Sequence, residues 1–569
     1  MSQPITSPPT DADTTTGDGR GTPESGSWLW RRRLDEYPAT GRRFVYLAIV
    51  VAVTVLFYYQ LNVQYAVSAS IISHYGMSFH YFLWVSVAGA VVGALGSLAA
   101  GVADRWGRAN LVVGGVLAAS LLVFFALPNA PDKTSYLVVF AVLSAVEGMT
   151  LVATPALIRD FSPQLGRGTA MAFWGAGPIV GTLVATQVVS HTLQGSTTWQ
   201  DELRYAGVAG LVVFLVALIG LRELSPGLRD QVMVSLHDRE LVEARALGID
   251  PQPKGRGQWR QLLRLDIVGT AFSVAFFSLL YLSVVGNFVL YLSTTLGYSE
   301  QRANSLLNWF WISNLCGALV GGLLSDRLRV RKPFMLAGAI GSIAVTIVFT
   351  LVTRGAETSY DTFVWLLVAM GALNSLTFTP WLAGFTETVE RRNPAATAAG
   401  LAVFGGALRL VAAGAAALLP VLATAVTPLV EHGAEVQAAA RQTAPAQAII
   451  KAHPQVFAEL AKYGPGAVPP ALSLRAVTEV GVKDLTVVQK AQPELLILKE
   501  HGPAVQKASE DVAGQWTSWW WVCVGGQVIF LPFVFVMAGR WRPRKAREDF
   551  EAHERTVARE LAALSGSGV

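Results

Sequence analysis

Two charged side chains, Glu147 and Arg409, stand inside long apolar stretches of this 569-residue sequence. A charge at the centre of a membrane-spanning helix costs roughly 2.5–3.5 kcal/mol on insertion scales, so both residues are candidates for function. A carboxyl group at that depth could bind and release a proton, which predicts proton coupling at Glu147. The guanidinium of Arg409 could neutralise an anionic substrate or pair with an acidic residue. For Glu147, a permanent structural ion pair is the alternative.

Polar side chains in other apolar stretches could complete a binding pocket. A ligand pocket needs only a few polar groups among apolar neighbours, although hydrogen bonds between helices use the same residue types. The segment "FYYQLNVQY" places Tyr58, Asn62 and Tyr65 on one helical face and Gln60 with Gln64 on another. The predicted substrate-binding residues, besides Arg409, are Tyr58, Asn62, Tyr65, Asn287, Asn374 and Trp381.

A third group of charges lies in two short gaps between apolar runs. The first gap, "AAGVADRWGRANLVV", covers residues 99–113, and a similar one returns as "GGLLSDRLRVRKPFML" at 321–336. Asp104 and Asp326 are 222 residues apart (326 − 104), and an arginine follows each of them. Carboxylates and guanidinium groups at helix ends can bridge to helix termini and to opposite charges. The repeat indicates ionic contacts at one rim of the molecule, with membrane anchoring by positive charge as the alternative. Anchoring is the interpretation for Arg331 and Lys332.

The sequence contains none of the patterns that carry catalysis or bind metals. The two cysteines, Cys316 and Cys523, fall inside apolar runs and form no ligand spacing. There is no His/Cys cluster, no Walker-type phosphate loop and no Gly-x-Ser-x-Gly elbow. We therefore expect no enzyme activity, no metal and no cofactor. Nucleic acid is not an expected partner either, because the net charge of +5 comes from basic residues in short loops.

Membrane-spanning helices must position these residues. Of the residues, 52% are hydrophobic and only 15% are charged, against roughly 25% charged in soluble domains. The apolar blocks are about 20 residues long, the length that a helix needs to cross ~30 Å of hydrocarbon. Open strands would leave backbone groups unsatisfied in lipid, so each block is predicted to be helical. The twelve predicted spans are about 44–68, 80–102, 110–129, 136–158, 170–190, 205–221, 266–293, 303–325, 334–353, 362–385, 396–425 and 516–539.

Basic residues collect in alternate loops, which sets the orientation of the chain in the membrane. One side holds Arg105, Arg108, Arg327 and the region 222–264, whereas the short loops opposite hold few basic residues. Both termini are therefore predicted to be cytoplasmic. The protein is predicted to be a multi-pass protein of the cell membrane.

The two charged gaps resemble the loop signature of the major facilitator superfamily, approximately Gly-x-Leu-x-Asp-Arg-x-Gly-Arg-Lys. The first copy, "AGVADRWGRA", has Ala100 for the first glycine and Ala109 for the last basic residue. The second, "GLLSDRLRVRK", keeps the Asp-Arg pair but has Arg329 where the later glycine would fall. "RDFSPQLGRG", at 159–168, looks like the family's loop after span 4. Two copies six spans apart are typical of a duplicated transporter fold.

The resemblance implies an all-α membrane protein with twelve transmembrane helices in two six-helix pseudo-repeats. Spans 1, 4, 7 and 10 line the cavity in this family, which suits Glu147 in span 4, whereas span 11, with Arg409, is more peripheral. The loop charges would form a cytoplasmic gate that closes the inner mouth while the outer mouth is open. The residues assigned to this gate are Asp104, Arg105, Arg108, Arg159, Asp160, Asp326 and Arg327.

The loop between spans 11 and 12 is far longer than is usual for this family. Proline at a helix start and Gly-Pro past its end predict helices at about 455–463 and 494–501. Apolar residues of these helices would share a small core, namely Val456, Leu460, Leu495 and Leu498. The segment is either an outer cap that docks a protein partner or an inert insertion.

These features divide the chain into seven regions. The first is rich in Pro, Ser, Thr, Asp and Gly, and it is predicted to be disordered. The regions are a cytoplasmic N-terminal tail at 1–27, an N-terminal six-helix bundle at 28–221, a cytoplasmic connector with amphipathic helices at 222–264, the C-terminal bundle of spans 7 to 11 at 265–428, an extracytoplasmic helical insertion at 429–515, span 12 at 516–541 and a cytoplasmic helical tail at 542–569.

The sequence predicts a secondary active transporter that moves a small polar or anionic metabolite by alternating access, with proton coupling. Its partners would be the lipid bilayer, the small-molecule substrate, protons and, at the insertion, a protein. A proton-driven multidrug efflux antiporter is the first alternative, and "GAGPIVGT" in span 5 partly resembles a Gly-Pro motif of such proteins. A transporter-like receptor or assembly factor acting through the insertion is the second.

Overall fold

The computed structural model describes residues 32–98, 107–162, 171, 173–225, 228, 263–353, 358–391, 397–463, 468–549, 551–552 and 555–556. Within them, twelve helices are long and apolar enough to cross a membrane, which confirms the predicted number. In chain order, spans 1 to 12 are Thr40–Ala66, Phe79–Ser97, Arg108–Ala126, Lys133–Phe161, Phe173–Thr192, Trp199–Gly220, Leu265–Leu296, Glu300–Leu328, Lys332–Val352, Tyr360–Val389, Gly400–Leu422 and Gln492–Val536. A short parallel strand pair, Arg33–Leu34 with Glu223–Leu224, accompanies the helices.

Polar residues cap the span ends where the first amides of each helix lack partners. The Asp132 carboxylate accepts hydrogen bonds from the amides of Ser135 and Thr134, both at 2.8 Å, at the start of span 4. Both bonds lower the pKa of Asp132, and the bond from Ser135 has the larger effect. Thr198 and Asp201 form a capping box at the start of span 6. The polar caps explain why these helices begin where the apolar sequence begins.

Glycines bring span 2 against span 4 and, in the second half, span 8 against span 10. A Cβ added at Gly148 of span 4 would collide with the carbonyl oxygen of Gly93 in span 2. A Cβ at Gly317 of span 8 would lie 2.5 Å from the carbonyl oxygen of Ala372 in span 10. Such close backbone approach requires small residues at the interface. The two sextets therefore repeat the same packing at equivalent helix pairs.

Replacing Gly148 with valine is expected to force spans 2 and 4 apart, because a backbone carbonyl cannot turn away as a side chain can. Overpacking of this kind costs about 1–3 kcal/mol, which should lower the melting temperature of the purified protein in detergent by several degrees. Gly114→Val is the matched control, because nothing lies within 4 Å of a Cβ at Gly114 in span 3. Equal melting temperatures for the two variants would contradict this packing.

The two ends of the helix bundle are called the basic end and the insertion end. The basic end carries Arg108 and Arg331, where spans 3 and 9 begin. The insertion end carries Ser70, Glu300 and Thr427, close to the segment that separates spans 11 and 12. Alternate spans run in opposite directions between the two ends.

The described part of the insertion between spans 11 and 12 is mainly helical. Its helices are Val426–Gln442, Ala444–Ala452, Pro454–Leu460, Pro470–Glu479 and Val482–Lys490. Pro454–Leu460 falls on the first predicted helix. The second predicted helix, at about 494–501, does not end before Gly502. Instead, one helix runs from Gln492 through Pro503 to Val536 and includes span 12. The predicted boundary at 515/516 therefore lies inside a helix.

Packing against the helix Val426–Gln442 stabilises the helix Gln492–Val536 where it continues past Pro503. Gln515 lies beside Thr424 and Ala425, and its side chain hydrogen-bonds to both. His501, next to Gly502, stacks on His432 of Val426–Gln442 with ring centroids 3.8 Å apart. These contacts along one antiparallel helix pair offset the backbone hydrogen bond that Pro503 cannot donate.

The insertion has a small core of its own. Val456 packs with Ala476 and Val480, and Leu460 lies beside them. Val456 and Leu460 therefore share a core, as the sequence predicts. Leu495 and Leu498 instead line a groove next to Phe457. The predicted tail at 1–27, most of the connector at 222–264 and the end of the chain lie outside the described residues.

Candidate functional site

A cavity of about 640 Å³ lies between the two halves of the bundle. Spans 1 and 2 line it from the first half, and spans 7 and 11 line it from the second, with Trp519 of span 12 beside them. Four of the predicted binding residues are in its lining: Asn62, Tyr65, Asn287 and Arg409. Residues separated by up to 347 positions in the chain (409 − 62) thus meet in one site.

Neighbouring spans hold the polar residues of span 1 in place. Asn62 donates a hydrogen bond to the Thr182 hydroxyl at 2.8 Å, and Tyr65 packs edge-on against Phe82 at 6.2 Å between ring centroids. The Oδ1 atom of Asn287 has no hydrogen-bond partner among the described residues. The cavity therefore combines positioned side chains with an acceptor that a ligand can use.

Gln60 and Gln64, on the other face of span 1, serve the packing of the first half. Gln60 donates to Ser120 and to the Ala206 carbonyl, both at 3.3 Å. Gln64 accepts from the Tyr136 hydroxyl at 3.2 Å. The two faces of span 1 thus divide between the cavity and helix packing.

Glu147 is buried in span 4 with only 1% of its surface exposed. Neither of its carboxyl oxygens has a hydrogen-bond partner among the described residues. Tyr58 lies within electrostatic range of both the Glu147 carboxyl and the Arg409 guanidinium. The two charges picked from the sequence therefore both lie within electrostatic range of one tyrosine.

Two predicted binding residues of span 10 lie away from the cavity lining. Trp381 is fully buried and stacks on Phe385 with ring centroids 4.9 Å apart, and Phe404 lies at the same distance. Asn374 is also buried, where span 10 packs inside the second half. The Nε1 atom of Trp381 and the Oδ1 atom of Asn374 have no hydrogen-bond partner among the described residues, and their role in substrate binding stays a prediction.

At the basic end, Arg108 pairs with Asp160, another of the residues assigned to the gate. Its guanidinium donates to the Asp160 carboxylate at 2.8 Å, joining the start of span 3 to the end of span 4. The backbone amide of Arg108 donates to the Glu223 carboxylate at 2.6 Å. Arg159 is partly buried next to Asp160 in the sequence. Asp104 and Arg105 lie outside the described residues.

The second half repeats this ion pair with a residue that sequence reasoning left to anchoring. Arg331, directly before span 9, bonds to Glu387 near the end of span 10 at 3.1 Å and also to Asp326. Arg327 is exposed. The signal in the sequence was a basic residue next to the start of span 9, since Arg108 likewise lies at the start of span 3.

Backbone conformation also repeats between the two charged loops. Gly107 has a φ of 91°, and Arg329, which stands at the equivalent position, has a φ of 57°. Positive φ normally favours glycine, because a Cβ clashes with the backbone there. The second loop thus also has a positive φ at this position, with arginine in place of glycine.

At the insertion end, hydrogen bonds join the two halves directly. Glu300 at the start of span 8 accepts from the Ser70 amide at 2.8 Å and from the Ser70 hydroxyl at 2.5 Å. Ser70 is in the first turn of the helix Ser68–Tyr75, so the carboxylate also faces the positive end of a helix dipole. Four further bonds cross between the halves there: Asn304 to Ala66, Gln301 and Asn308 to Ser190, and Phe79 to Thr427. The bundle is closed at this end.

Replacing Glu300 with glutamine is expected to loosen the insertion end, because the neutral side chain loses the charge-assisted bonds to Ser70. Such bonds contribute about 1.5–3 kcal/mol, so the population of conformations open at this end should rise by about ten-fold or more. Electron-spin distance measurements between labels at positions 129 and 302 would report it, with Cys316 and Cys523 replaced. Glu202→Gln is the control, because Glu202 bonds to Thr192 within one half. An unchanged distance distribution in Glu300→Gln would contradict the role of this contact.

Comparisons with known proteins agree with this architecture. The sequence matches the Major Facilitator Superfamily over residues 49–413. Sugar phosphate exchanger 3 of Gallus gallus is 24% identical over 270 residues, which are 42% of this chain and 54% of the relative. The probable nitrate/nitrite transporter NarK2 of Mycobacterium tuberculosis is 26% identical over 318 residues, 54% of this chain and 70% of the relative. The chain spans about half the length of the sugar phosphate exchangers that it matches.

Solved structures with the same fold are far more distant in sequence. A bacterial homologue of the human lysosomal transporter Spinster, inward-facing and unoccupied, aligns with a TM-score of 0.53 at 16% identity, covering 89% of this chain and 100% of that one. The xylose transporter XylE of E. coli, partially occluded and inward-open, aligns with a TM-score of 0.50 at 15% identity, covering 66% and 90%. These likenesses bear on the fold alone.

Twelve spans, two sextets with equivalent packing and a family match over more than half of the sequence lead to one assignment. The proteins of this family are transporters and not enzymes. The chain belongs to the Major Facilitator Superfamily, and it is a multi-pass membrane protein.

Proposed function

We propose that this transporter moves an anionic or polar metabolite across the cell membrane by alternating access, coupled to protons. The observation that carries the proposal is the guanidinium of Arg409 in a cavity between the two halves. A cation in an otherwise apolar cavity attracts an anion more strongly than it would in water, because the low dielectric weakens screening. Asn62 and Asn287 provide hydrogen-bonding groups beside it.

The names of two relatives support an anionic substrate. One relative is a sugar phosphate exchanger and another is a probable nitrate/nitrite transporter, and sugar phosphates, nitrate and nitrite all carry negative charge. The identities of 24% and 26% over part of each chain do not extend to the substrate itself. The shared feature that we propose here is anion binding at Arg409.

Proton coupling is assigned to Glu147. A buried carboxyl group without a hydrogen-bond partner among the described residues gains little from staying ionised, so it can exchange its proton when the cavity becomes wet. Tyr58 links it electrostatically to Arg409. Binding of an anion at Arg409 would therefore change the field at Glu147, which is how substrate and proton can be coupled.

Ionic contacts at the two ends would decide which mouth is open. The described hydrogen bonds of Glu300, Asn304 and Asn308 close the insertion end. The pairs Arg108–Asp160 and Arg331–Glu387 stay within their own halves, where they hold the loops that would meet when the basic end closes. The basic loops indicate that this end is cytoplasmic, together with both chain termini.

Counterflow in proteoliposomes tests the proposal. Vesicles preloaded with a panel of unlabelled metabolites should accumulate labelled phosphate esters, nitrate or carboxylates only where the internal compound is a substrate. A pH gradient should increase uptake of the same compounds. Transport of neutral or cationic drugs without any anion transport would instead favour the efflux alternative. The apolar walls of the cavity are compatible with such substrates.

The Gly-Pro element of span 5 gives the efflux alternative little support. Gly177 and Gly181 lie against span 1, where an added Cβ would sit 2.6 Å from Thr54 and 2.5 Å from the Val55 carbonyl oxygen. These glycines therefore serve the contact between spans 5 and 1. The receptor alternative would be tested by deleting 431–512: loss of a protein complex with transport intact would make the insertion an accessory.

A further inference from the structure

Two apolar helix faces form the long walls of the cavity. Lining residues recur at helical spacing from Leu83 along span 2 and from Arg409 to Leu419 along span 11. Small side chains dominate both faces: Val87, Ala90, Ala94, Ala412, Ala413 and Ala416. Protein interiors are normally packed without voids of this size. The two faces therefore form an apolar slot that their own side chains do not fill.

The equivalent seam on the other side of the molecule is hydrogen-bonded at the insertion end. The internal repeat relates the seam between spans 2 and 11 to the seam between spans 8 and 5. There, Asn308 and Gln301 hydrogen-bond to Ser190 at 3.0 and 3.3 Å. The seam of the slot is also joined at this end, where Phe79 donates its amide to the Thr427 hydroxyl at 3.0 Å. Beyond this joined end, the lining of the slot continues along span 2 as far as Ser97.

The slot has one charged end. Span 11 runs from the basic end to the insertion end, so Arg409 lies at the end of its lining face nearer the basic end. From Arg409 to Leu419 the helix rises about 15 Å at ~1.5 Å per residue. That length is about half of the ~30 Å hydrocarbon thickness, which is the depth of one lipid leaflet. A hydrocarbon chain can therefore lie along the slot while a head group binds Arg409.

We propose that the slot binds the hydrocarbon chain of a single-chain amphiphilic anion whose head group lies at Arg409. The inference rests on the proposed function, because the same guanidinium binds the anionic group, and it adds the substrate class. Charge complementarity selects an anion such as a phosphate monoester, and the alanine faces select an unbranched alkyl or acyl chain. Apolar burial contributes roughly 0.8 kcal/mol per methylene, so affinity should depend strongly on chain length.

A series of n-alkyl phosphates tests the slot directly. Ethyl, butyl, hexyl, octyl and decyl phosphate are titrated into the full-length protein in lipid nanodiscs by calorimetry, with protein-free nanodiscs to subtract membrane partitioning. The expected result is a fall in the dissociation constant by about four-fold per methylene until the chain fills the slot. A dissociation constant that does not depend on chain length overturns the inference.

Three variants separate the slot from the anion site. Ala413→Phe fills the slot and should weaken decyl phosphate binding by about ten-fold or more, at roughly four-fold per methylene displaced, without changing ethyl phosphate binding. Ala417→Phe is the matched control, because Ala417 is on the same span and exposed but does not line the cavity. Arg409→Gln should weaken binding of both phosphates.

The outcomes distinguish the two levels of the proposal. If ethyl phosphate binds at Arg409 but Ala413→Phe binds decyl phosphate as the wild type does, the slot assignment is wrong and the anion site stands. If no alkyl phosphate binds, or if Arg409→Gln binds them unchanged, the anion site itself is wrong. Native mass spectrometry that finds a two-chain phospholipid retained against decyl phosphate would also overturn the slot assignment.

Discussion

Replacing Arg409 with glutamine is expected to lower kcat/KM for anion transport by about 100-fold, chiefly through a higher KM. Losing a hydrogen bond to a charged group costs about 1.5–3 kcal/mol, and 100-fold corresponds to ~2.7 kcal/mol, which is within that range. Arg409 lines the cavity with Asn62 and Asn287, whose neutral groups cannot replace the charge. Initial rates of labelled anion uptake into proteoliposomes over a range of concentrations would measure the effect.

Two control variants show whether the loss reflects the charge and its geometry. Arg409→Lys keeps the charge but loses the planar, bidentate fork, so it should retain part of the activity. Arg302→Gln removes an exposed guanidinium that lies over the Tyr298 ring, away from the cavity lining, and should transport normally. Wild-type kinetics in Arg409→Gln would remove the basis for an anionic substrate.

Replacing Glu147 with glutamine is expected to abolish proton-driven accumulation while leaving counterflow intact. The amide has nearly the size of the carboxyl group but cannot carry a proton through the transport cycle. In the wild type, each coupled proton should support about ten-fold accumulation per unit of pH difference, since one unit corresponds to 1.36 kcal/mol. In the variant, the accumulation ratio should fall to about one at any pH gradient.

Glu202→Gln is the matched control for a buried carboxyl group in a neighbouring span. Glu202 accepts hydrogen bonds from the Thr192 hydroxyl at 2.7 and 2.9 Å, so its role is local to the packing of spans 5 and 6. It should leave the accumulation ratio unchanged. Tyr58→Phe should uncouple partially, because it removes a hydroxyl that lies within electrostatic range of both Glu147 and Arg409. Full pH-driven accumulation by Glu147→Gln would assign coupling to another residue.

Local patterns in the sequence were sufficient for the membrane fold. Hydrophobic blocks of span length predicted twelve helices because the bilayer requires every backbone group to be bonded within its own helix. The repeated Asp-Arg loops predicted two six-helix halves and membership of the Major Facilitator Superfamily. The family match confirms the membership. Glu147 and Arg409 were visible because an ionisable residue in an apolar run is costly wherever the neighbouring helices lie.

Sequence reasoning failed where packing between distant segments outweighs local signals. Gly502 and Pro503 read as a helix end, yet the helix continues because it packs along Val426–Gln442. Arg331 read as a simple anchor, yet it joins Asp326 to Glu387.

The sequence by itself determined the membrane class, the number of spans, the internal repeat and the charged residues worth testing. These properties follow from hydropathy and charge along the chain, which need no knowledge of neighbours. Only the tertiary structure decided which polar residues share a cavity, since Asn62 and Arg409 meet through the packing of helices far apart in sequence. It also decided that hydrogen bonds join the halves at the insertion end and that an apolar slot lies between spans 2 and 11, because both depend on which side chains face each other across the two halves.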